Sequence, residues 1–529
     1  MNLRLILGVL IVGGYAEAFK ILVLYPTPAV SHQRPIMALT ERLVRDGHEL
    51  FVVSPNVVPS LVNHGNYTFV DVSFSYKYYA HSTTEKKDDV ADLQRKLSKY
   101  ELLSFFVSYA DIPRKQFSSQ KFLKFKKRVE SENLRFDAVI TQSFFLPYAA
   151  PMSRILTKNA PIITMSSFVI DHFAEDLLGS VMHLSFVPSI FGHYTDRMSL
   201  WQKLENWVSH RYIMSRIKRS MEAGARRYFT EVYGPQGGDF VDGCWENISL
   251  ALITSNSMYF YPRPLGPNVV EVGPLHLTRP GKLPQNLQEW LDGAERGVIY
   301  FSLGSNFRSA SLPKNAINNL LKVFEALPNG YRVLWKFEVD SEDLGQHDNV
   351  LIQKWMPQQS VLAHPKVGVF MTQGGLQSFQ EAVHYGVPLV GIPWFGDHEL
   401  QLAKIMDAKI GERLAPEDLH SVEKIKEVLA KVLYDDSYLK NMRKLSSISQ
   451  DFTSQAMDKA VFWVEHVARH SGASHLRPST ADATLSEYFC LDIISTILVL
   501  TSTVFFSIHF LYRLILIVFR KPHLKLKDS

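Results

Sequence analysis

The chain has 529 residues, of which 46% are hydrophobic and 21% are charged, and its formal net charge is +5 at pH 7. This length is enough for two ordinary domains that each bury a complete apolar core. The small and thinly spread charge argues against a nucleic-acid-binding protein. The two cysteines, Cys244 and Cys490, cannot define a disulfide framework.

The chain begins with the pattern of a secretory signal peptide over residues 1–18. Arg4 supplies the basic start, Leu5 to Val12 the apolar stretch, and Ala16-Glu17-Ala18 a small-x-small cleavage site. Two glycosylation sequons, at Asn66 and Asn247, fit a glycoprotein exposed to the secretory lumen. These features predict a chain that enters the secretory pathway.

The first half, placed at residues 19–265, alternates predicted strands and helices. Strands are predicted at Phe19–Tyr25, His48–Val53, Phe136–Thr141 and Pro161–Met165, and helices before Gly47 and over Pro147–Leu156. Such alternation builds a parallel sheet with helices on both faces. Because ligands bind these sheets at the carboxyl ends of strands, the loops after Tyr25 and Thr141 are expected to face a cleft.

Two segments of the first half are helical in pattern but also basic and aromatic, Lys86 to Lys127 and Trp201 to Tyr228. Their charges are expected on solvated helix faces, and a membrane-surface role is the alternative. The Pro- and Gly-rich stretch that follows predicts a linker, placed at residues 266–284.

A second α/β series is placed at residues 285–485. Its strands are predicted at Val298–Leu303, Arg332–Phe337, Val350–Trp355, Val367–Thr372 and Pro388–Pro393, and a helix at Leu376–Tyr385. The loops after Leu303 and Thr372 are expected to face the same cleft. Gly374-Gly375 joins a strand to a helix N-terminus, where free N–H groups favour an anion such as a diphosphate.

The C-terminal region predicts a membrane anchor over residues 491–519. The run from Ile493 to Tyr512 is uncharged and long enough to span a bilayer. The basic residues Arg513, Arg520, Lys521, Lys525 and Lys527 would place the tail, residues 520–529, in the cytosol. A buried core helix is the alternative to an anchor.

The run from Trp355 to Glu399 resembles the signature of the UDP-glycosyltransferases, of the membrane-bound animal type and its insect members above all. The family pattern W-x-P-Q is present from Trp355 to Gln358, its H/Q-G-G from Gln373 to Gly375, and its closing D-Q as Asp397-His398. The resemblance implies the GT-B fold, in which two doubly wound Rossmann-like domains face a cleft. It also implies sugar transfer from a UDP-sugar to a small lipophilic acceptor.

By this resemblance, the second domain holds the UDP part of the donor. Ser305 directly follows a strand, where its hydroxyl and N–H group can meet phosphate. Trp355 offers a flat apolar face to uracil. Gln358 and Glu381 are the expected ribose partners, since a carboxylate accepts hydrogen bonds from two vicinal hydroxyls.

The glycine turn and its helix supply further expected donor contacts. Gln373 replaces the phosphate-contacting His of many family members, and its amide can still donate. Gly374 and Gly375 form the turn, and Gly375 and Ser378 add donors. Gln377 lies four residues before Glu381, so both are expected to face one ligand.

Asp397 and His398 are expected beside the sugar. Asp397 can accept from two sugar hydroxyls, whereas His398 stands where the family more often has Gln. In related enzymes Gln tends to accompany glucose and His galactose. His398 therefore keeps galactose open, whereas the general family resemblance makes glucose the first choice.

His32 matches the catalytic base of the family. An imidazole has a pKa near operating pH and can remove the acceptor proton as the oxygen attacks the anomeric carbon. A single displacement inverts that centre. His48, between a helix end and a strand, is the rival and is expected to be structural.

The acidic partner of this base is missing. The aligned residue is Gln142, which can accept from the ring N–H but has no charge to offset an imidazolium. An acid elsewhere, such as Asp171, can take its place, whereas Asp137 comes too early in the strand. The other alternative is a protein that binds a UDP-sugar or lipophile without turnover.

The expected partners are thus a UDP-sugar and a small lipophilic acceptor bound among apolar residues of Tyr100–Tyr109 and His183–Phe191. No cofactor is expected beyond this co-substrate, and no metal site is expected because the acidic and histidine residues lack a ligand cluster. A homodimer stays open. The K-x-K-x-x form of residues 525–529 resembles an endoplasmic reticulum retrieval signal, which predicts a single-pass enzyme with lumenal domains.

Overall fold

A computed structural model describes residues 17–80, 98–180, 182–246, 248–338, 344–345, 347–394 and 396–519. The predicted signal peptide up to residue 16, the sequon residue Asn247 and the predicted cytosolic tail at 520–529 lie outside the described residues.

Seven parallel strands form the first sheet. They are β1 Lys20–Leu24, β2 Glu49–Ser54, β3 Tyr67–Asp71, β4 Ala138–Thr141, β5 Ile162–Ser166, β6 Ile248–Ile253 and β7 Val269–Glu271. Their order is β3-β2-β1-β4-β5-β6-β7, so the winding reverses between β1 and β4. Apolar runs such as ILVL in β1 are buried on both faces, because helices cover the sheet on both sides.

The first half also contains eight helices among its described residues. They are α1 Val30–Arg45, α2 Tyr76–Ala80, α3 Lys99–Tyr109, α4 Ile112–Phe117, α5 Gln120–Ser131, α6 Leu146–Thr157, α7 His172–Leu177 and α8 Leu200–Tyr233. Ser199 caps α8 with a capping box, which fixes where this long helix begins.

The second sheet has six parallel strands. They are β8 Gly297–Ser302, β9 Tyr331–Lys336, β10 Val350–Gln353, β11 Val367–Thr372, β12 Leu389–Gly391 and β13 Gly411–Arg413. Their order is β10-β9-β8-β11-β12-β13, and the winding reverses between β8 and β11. Ligands bind a sheet at such a reversal, outside the carboxyl ends of its strands.

The described helices that follow the first domain are α9 Gln285–Asp292, α10 Lys314–Glu325, α11 Gln358–Leu362, α12 Leu376–Tyr385, α13 His398–Asp407, α14 Val422–Tyr434, α15 Asp436–Thr453 and α16 Ala456–Arg469. The two parallel sheets confirm the predicted pair of Rossmann-like domains.

Two predicted domain limits differ from the structure. The strand β7 lies inside the range predicted as a linker, and it belongs to the first sheet beside β6. Helix α16 lies inside the range predicted for the second domain, yet Ala460, Val464 and Val467 belong to the apolar core of the first sheet. Both errors arise because short apolar runs do not reveal which sheet they join.

The chain ends with the short helix α17 Leu485–Tyr488 and the long helix α18 Leu491–Phe519. Within the part of the chain that the structure describes, α18 is the one helix long and apolar enough to cross a membrane. None of its side chains is buried against the rest of the protein. The helix therefore fits a single-pass membrane protein rather than a core helix.

Candidate functional site

A cavity of about 500 Å³ lies where the two domains meet, and loops from both sheets line it. The loop after β1 contributes Thr27, the loop after β4 Gln142, the loop after β8 Ser305, and the loop after β11 Gln373. These are the four loops that the sequence predicts at the cleft, and the prediction is confirmed. The cavity therefore joins the carboxyl ends of both sheets at their reversal points.

The structure brings most of the predicted site residues to this one cavity. Those that line it are His32, Gln142, Ser305, Trp355, Gln358, Gln373, Gly375, Gln377, Ser378, Asp397 and His398. The other two, Gly374 and Glu381, lie beside the lining residues in the turn and helix α12.

The glycine turn closes around the amide of Gln373. Gly374 has φ +84°, a left-handed conformation that favours glycine, and Gly375 is the N-cap of α12. A Cβ atom placed on Gly304 would lie 2.8 Å from Nε2 of Gln373. The turns after β8 and β11 therefore favour glycine at positions 304 and 374, which both have positive φ, and the sequence analysis missed Gly304 although it directly precedes Ser305.

The expected ribose partners form one hydrogen-bonded group. Gln358 Nε2 donates to Ser378 Oγ at 3.1 Å and to Glu381 Oε2 at 2.8 Å, while the hydroxyl of Tyr300 donates to Gln358 Oε1 at 3.3 Å. Gln358 thus lies between the cavity and the carboxylate of Glu381 on α12. Ser378 and Tyr300 hold its amide in one orientation.

Glu381 itself is fully buried, so it does not face the cavity directly as the helical spacing predicted. Nη1 of Arg34 lies 3.5 Å from its Oε1, and Nε2 of His276 lies 3.4 Å away. Burial favours a raised pKa for Glu381, but His276 and Arg34 outweigh it and keep the pKa below its usual value. Arg34, two residues after His32, is a cationic lining residue that the sequence analysis missed.

Two predicted donor contacts are open to the cavity. The side chain of Trp355 is 68% exposed, so its ring face is free for a planar ligand. Ser305 is also exposed at the tip of the loop after β8. Lys336, at the end of β9, lines the same region and donates to the carbonyl of Gly304 at 3.1 Å. A diphosphate here would meet hydroxyl, backbone and cationic groups together.

Asp397 and His398 open helix α13 at the cavity. Nε2 of Gln401 donates to Asp397 Oδ2 at 3.2 Å, and this carboxylate stays half-buried. The His398 ring packs edge-on against Phe307 with centroids 5.7 Å apart, and burial lowers its pKa. His398 is therefore neutral, and its Nδ1 has no hydrogen-bond partner among the described residues.

His32 is the third residue of α1 and lines the cavity from the first domain. Its ring meets the edge of Phe168 at a centroid distance of 4.9 Å. Burial lowers the pKa of His32 to about 4, and the negative charge of Asp397 opposes this shift in part. The imidazole is therefore neutral at pH 7 and ready to accept a proton.

Gln142 does not hold this imidazole. Its Oε1 accepts a hydrogen bond from the hydroxyl of Thr27, in the loop between β1 and α1. Nδ1 of His32 is buried and has no hydrogen-bond partner within the described part of the chain. The structure therefore shows no hydrogen bond between the His32 ring and Gln142 among the described residues, and Gln142 Oε1 accepts from Thr27 instead. The sequence analysis did not predict this role of Thr27, and the only sign of it in the sequence is a polar residue in a loop after a strand.

Asp171 lines the cavity, but its side chain caps helix α7. Its Oδ1 accepts from Ser143 Oγ at 2.6 Å and from the backbone N–H groups of Phe173 and Ala174, which caps α7. Burial raises the pKa of Asp171 to about 6, and its Oδ2 has no partner among the residues described. The charge that acts on His32 is that of Asp397.

Gln377 links the two domains beside the base. Its Nε2 donates to the backbone carbonyl of Ser31, the residue before His32. The side chain of Gln377 therefore lines the cavity, and its amide nitrogen forms a hydrogen bond that joins α12 to α1. The spacing that placed Gln377 near Glu381 gave no sign of this contact.

Apolar side chains cover the first-domain side of the cavity. They come from α3, the segment before α8 and α8 itself, and include Leu102, Phe105, Phe106, Tyr109, Ile190, Phe191, Met214 and Ile217. Both segments that the sequence analysis named for an apolar lining thus contribute.

The rival histidine lies in the core. Nδ1 of His48 accepts from the backbone N–H of Phe19 at 3.1 Å, and Nε2 lies 3.1 Å from Glu465 of α16. Asp137 accepts from the backbone N–H of Lys20 at 2.7 Å, at the start of the sheet. Both residues thus stabilise the N-terminal end of β1, at the end of the sheet opposite the cavity.

Comparison with known families adds to this geometry. The family model described as UDP-glucoronosyl and UDP-glucosyl transferase matches residues 20–525. UDP-glucuronosyltransferase 1A8 of Homo sapiens is 30% identical over 517 residues, with 95% of this chain and 92% of that protein covered. UDP-glycosyltransferase UGT5 of Dactylopius coccus is 29% identical over 507 residues, with 94% and 92% covered.

Solved structures share the fold at lower sequence identity. A crystal structure of the glycotransferase of kitacinnamycin superposes with a TM-score of 0.57 at 19% identity, covering 85% of this chain and 99% of that chain. This likeness supports the GT-B arrangement of two domains around a cleft.

Proposed function

Because the chain belongs to the UDP-glucoronosyl and UDP-glucosyl transferases, which transfer sugar from a UDP-sugar to an acceptor, we propose an inverting hexosyltransferase that acts on a hydroxyl of a small lipophilic acceptor. Glucose is the first choice of sugar. The observation that carries the proposal is the position of a neutral His32 within the field of Asp397, in a cavity with apolar walls on one side and the glycine turn on the other.

In this mechanism His32 takes the proton from the acceptor hydroxyl while the hydroxyl oxygen attacks the anomeric carbon. The bond between that carbon and the diphosphate oxygen breaks, and UDP leaves with its electron pair. An α-linked donor then gives a β-glycoside. A base with a pKa of about 4 is weak, so acceptors that ionise readily, such as phenols, are expected to react faster than alcohols.

The donor is held mainly by the second domain. Trp355 stacks on uracil, Gln358 binds the ribose while Glu381 behind it holds its amide, and the N-terminus of α12 binds the diphosphate. Arg34 and Lys336 line the same cavity and are paired with Glu381 and Glu338. The helix end and the polar side chains neutralise the diphosphate without a metal or another cofactor, and full turnover in EDTA is the expected result.

Galactose is the alternative sugar, supported by His398 in place of the more common Gln. Replacing His398 with Gln is expected to shift the ratio of turnover towards UDP-glucose relative to UDP-galactose. An unchanged ratio would remove the argument for galactose.

A binding protein without turnover is the alternative function. It is supported by the neutral Gln142, whose oxygen is already used by Thr27. Such a protein would bind UDP-sugar without releasing UDP.

The deciding experiment measures UDP release in microsomes that contain the full-length chain. UDP-glucose, UDP-galactose and UDP-glucuronic acid are supplied with a mixed panel of phenols and alcohols. Turnover that disappears in His32→Ala, with UDP binding retained, supports the base. UDP binding without turnover of any donor, combined with activity in Gln142→Asp, would favour the binding protein. Absence of UDP binding would contradict both functions.

We place the enzyme in the endoplasmic reticulum membrane, with both domains lumenal and the C-terminus cytosolic. Support comes from α18, from the basic residues after it and from the retrieval-like last five residues. Protease protection of both domains in sealed microsomes, with a cleavable C-terminal tag, is the expected result.

A further inference from the structure

Helix α8 has an exposed apolar face along its first turns. Six of its side chains are each at least 50% exposed: Leu200, Trp201, Leu204, Trp207, Val208 and Tyr212. At about 100° per residue these six occupy a sector of about 140°. The opposite side is buried and includes Asn206, Ser209 and Ile213. The helix therefore has one packed face and one apolar face turned away from the protein.

Basic and aromatic side chains lie on and beside this face: Arg211 falls inside the sector and is paired with Asp176 at 3.7 Å, and Lys203 lies at its border. Six basic and only two acidic residues lie between Asp196 and Arg219. Nζ of Lys203 lies 5.2 Å from the ring centroid of Phe186, which is itself exposed. Apolar and aromatic side chains bordered by Lys and Arg suit the headgroup layer of a membrane that contains anionic lipid.

The face is joined to the start of the membrane-crossing helix. The Tyr488 hydroxyl lies 3.3 Å from Nε2 of His183, and the ring of Phe489 lies 5.8 Å from that of His183. The neighbouring Leu184 carbonyl accepts from Nδ2 of Asn206, on the packed face of α8, at 2.8 Å. Helix α18 begins only three residues after Tyr488. One packed unit therefore carries both the anchor and the exposed face.

From this continuity we propose that the exposed face of α8 is seated in the interfacial layer of the same bilayer that α18 crosses. Trp201, Trp207 and Tyr212 are suited to this depth because their rings combine an apolar body with a polar tip. The seating fixes the first domain against the membrane at a second point. It does not depend on turnover.

The seating has a consequence that rests on the proposed function. Met214 and Ile217, further along α8, line the cavity on its acceptor side. A lipophilic acceptor dissolved in the bilayer would therefore meet an element that touches the membrane on one side and the cavity on the other.

The test uses the full-length protein in nanodiscs, one copy per disc, made with and without brominated acyl chains. The membrane-crossing helix contains no tryptophan, so tryptophan quenching reports on the rest of the chain. Brominated lipid is expected to quench up to about one quarter of the emission, because two of the eight tryptophans lie on this face. The double variant Trp201→Phe/Trp207→Phe is expected to lose most of this quenching.

Trp463→Phe, on α16, is the matched control and is expected to keep the quenching. Quenching that is absent in the wild type, or that persists in the double variant, overturns the proposal. A third result is that brominated lipid leaves the tryptophan emission unchanged, while iodide quenches it less when two copies share a disc. This result would assign the face to a second copy of the chain and overturn the proposal. A protein without turnover is still expected to show the quenching, so failure of the proposed function can be distinguished from failure of the membrane contact.

Discussion

His32 is neutral at pH 7 but lacks the carboxylate that would stabilise its protonated form. Burial lowers its pKa to about 4, and Gln142, at the expected position of the acid, is bonded to Thr27. At pH 7 the ring can accept a proton, but the charge so created in a partly buried site is offset only in part, by Asp397. Under the proposed mechanism this site therefore favours acceptors that give up their proton easily.

Replacing Gln142 with Asp is expected to raise turnover, more for alcohols than for phenols. In the serine-protease template, neutralising the corresponding acid costs about 10⁴ in turnover, which bounds the gain. The new carboxylate also raises the pKa of His32. Because the base must be unprotonated, kcat/KM falls as pH drops through that pKa, so the acid limb is expected to move upward from about pH 4.

The pH profile of kcat/KM for one phenol and one alcohol measures this effect. Gln142→Asn has the size of Asp without its charge and is the control, expected to leave the acid limb unmoved. Equal profiles for the Asp and Asn variants would contradict an electrostatic role for this position.

Gly304 allows the amide of Gln373 to lie against the turn after β8. Its φ is +78°, and a Cβ would approach Nε2 of Gln373 to 2.8 Å. Gly304→Ala is therefore expected to raise the Kd for UDP by about tenfold or more, since strain of about 1–3 kcal/mol falls on the binding loop. Gly368→Ala, where a Cβ meets no atom within 4 Å, is the control. Isothermal titration with UDP measures both, and equal affinities would refute the contact.

At the scale of elements, α8 packs closely on α6 and on the C-terminal end of α3 at one glycine. A Cβ on Gly224 would lie 2.6 Å from the Tyr148 hydroxyl and 3.2 Å from the Ala110 carbonyl. That hydroxyl donates to the same carbonyl at 2.7 Å. Position 224 thus sets how near α8 comes to its neighbours, although a helix interior normally disfavours glycine.

Gly224→Ala is expected to lower the thermal midpoint. Glycine to alanine inside a helix gains about 0.5–1 kcal/mol, whereas overpacking costs about 1–3 kcal/mol, so overpacking prevails. Tyr148→Phe combined with Gly224→Ala is expected to recover part of the loss, because the nearest atom is removed. Scanning calorimetry of Gly224→Ala, Tyr148→Phe and the double variant measures the coupling, and a raised midpoint for Gly224→Ala alone would show that α8 can move away.

At the scale of the whole molecule, the chain returns from the second domain to the first. Helix α16 packs on the first sheet, with Val464 fully buried and Arg42 paired to Asp458 at 2.7 Å. Arg34 and Gln377 join the domains again at the cavity. The two domains are therefore not independent units divided at the predicted linker.

Val464→Asp is expected to destabilise the first domain although it lies in the second half of the sequence. A buried charge without a partner costs about 3–5 kcal/mol. Phe462→Asp, exposed on the same helix, is the matched control and is expected to cost far less. Limited proteolysis followed by mass mapping measures the effect, and preferential cleavage in the second domain would contradict it.

The secondary structure of the signature run is determined by the sequence itself. The strand at Val367–Thr372 and the helix at Leu376–Tyr385 lie as predicted, because apolar runs and glycine turns act between neighbouring residues. The anchor at Leu491–Phe519 is equally local, since length and apolarity define it. The sequence also determines which loops follow the carboxyl ends of the strands, and therefore where the cavity lies.

Only the tertiary structure decided which side chains meet inside that cavity. Arg34 reaches Glu381 across 347 residues of sequence, and Thr27 reaches Gln142 across 115. The sheet that β7 and α16 join is also decided by packing. Spacing along the chain does not specify these contacts, because the folded packing decides which distant residues come close enough to touch. The sequence therefore determined the elements and the edge where they present a site, and packing determined which residues there are free to act.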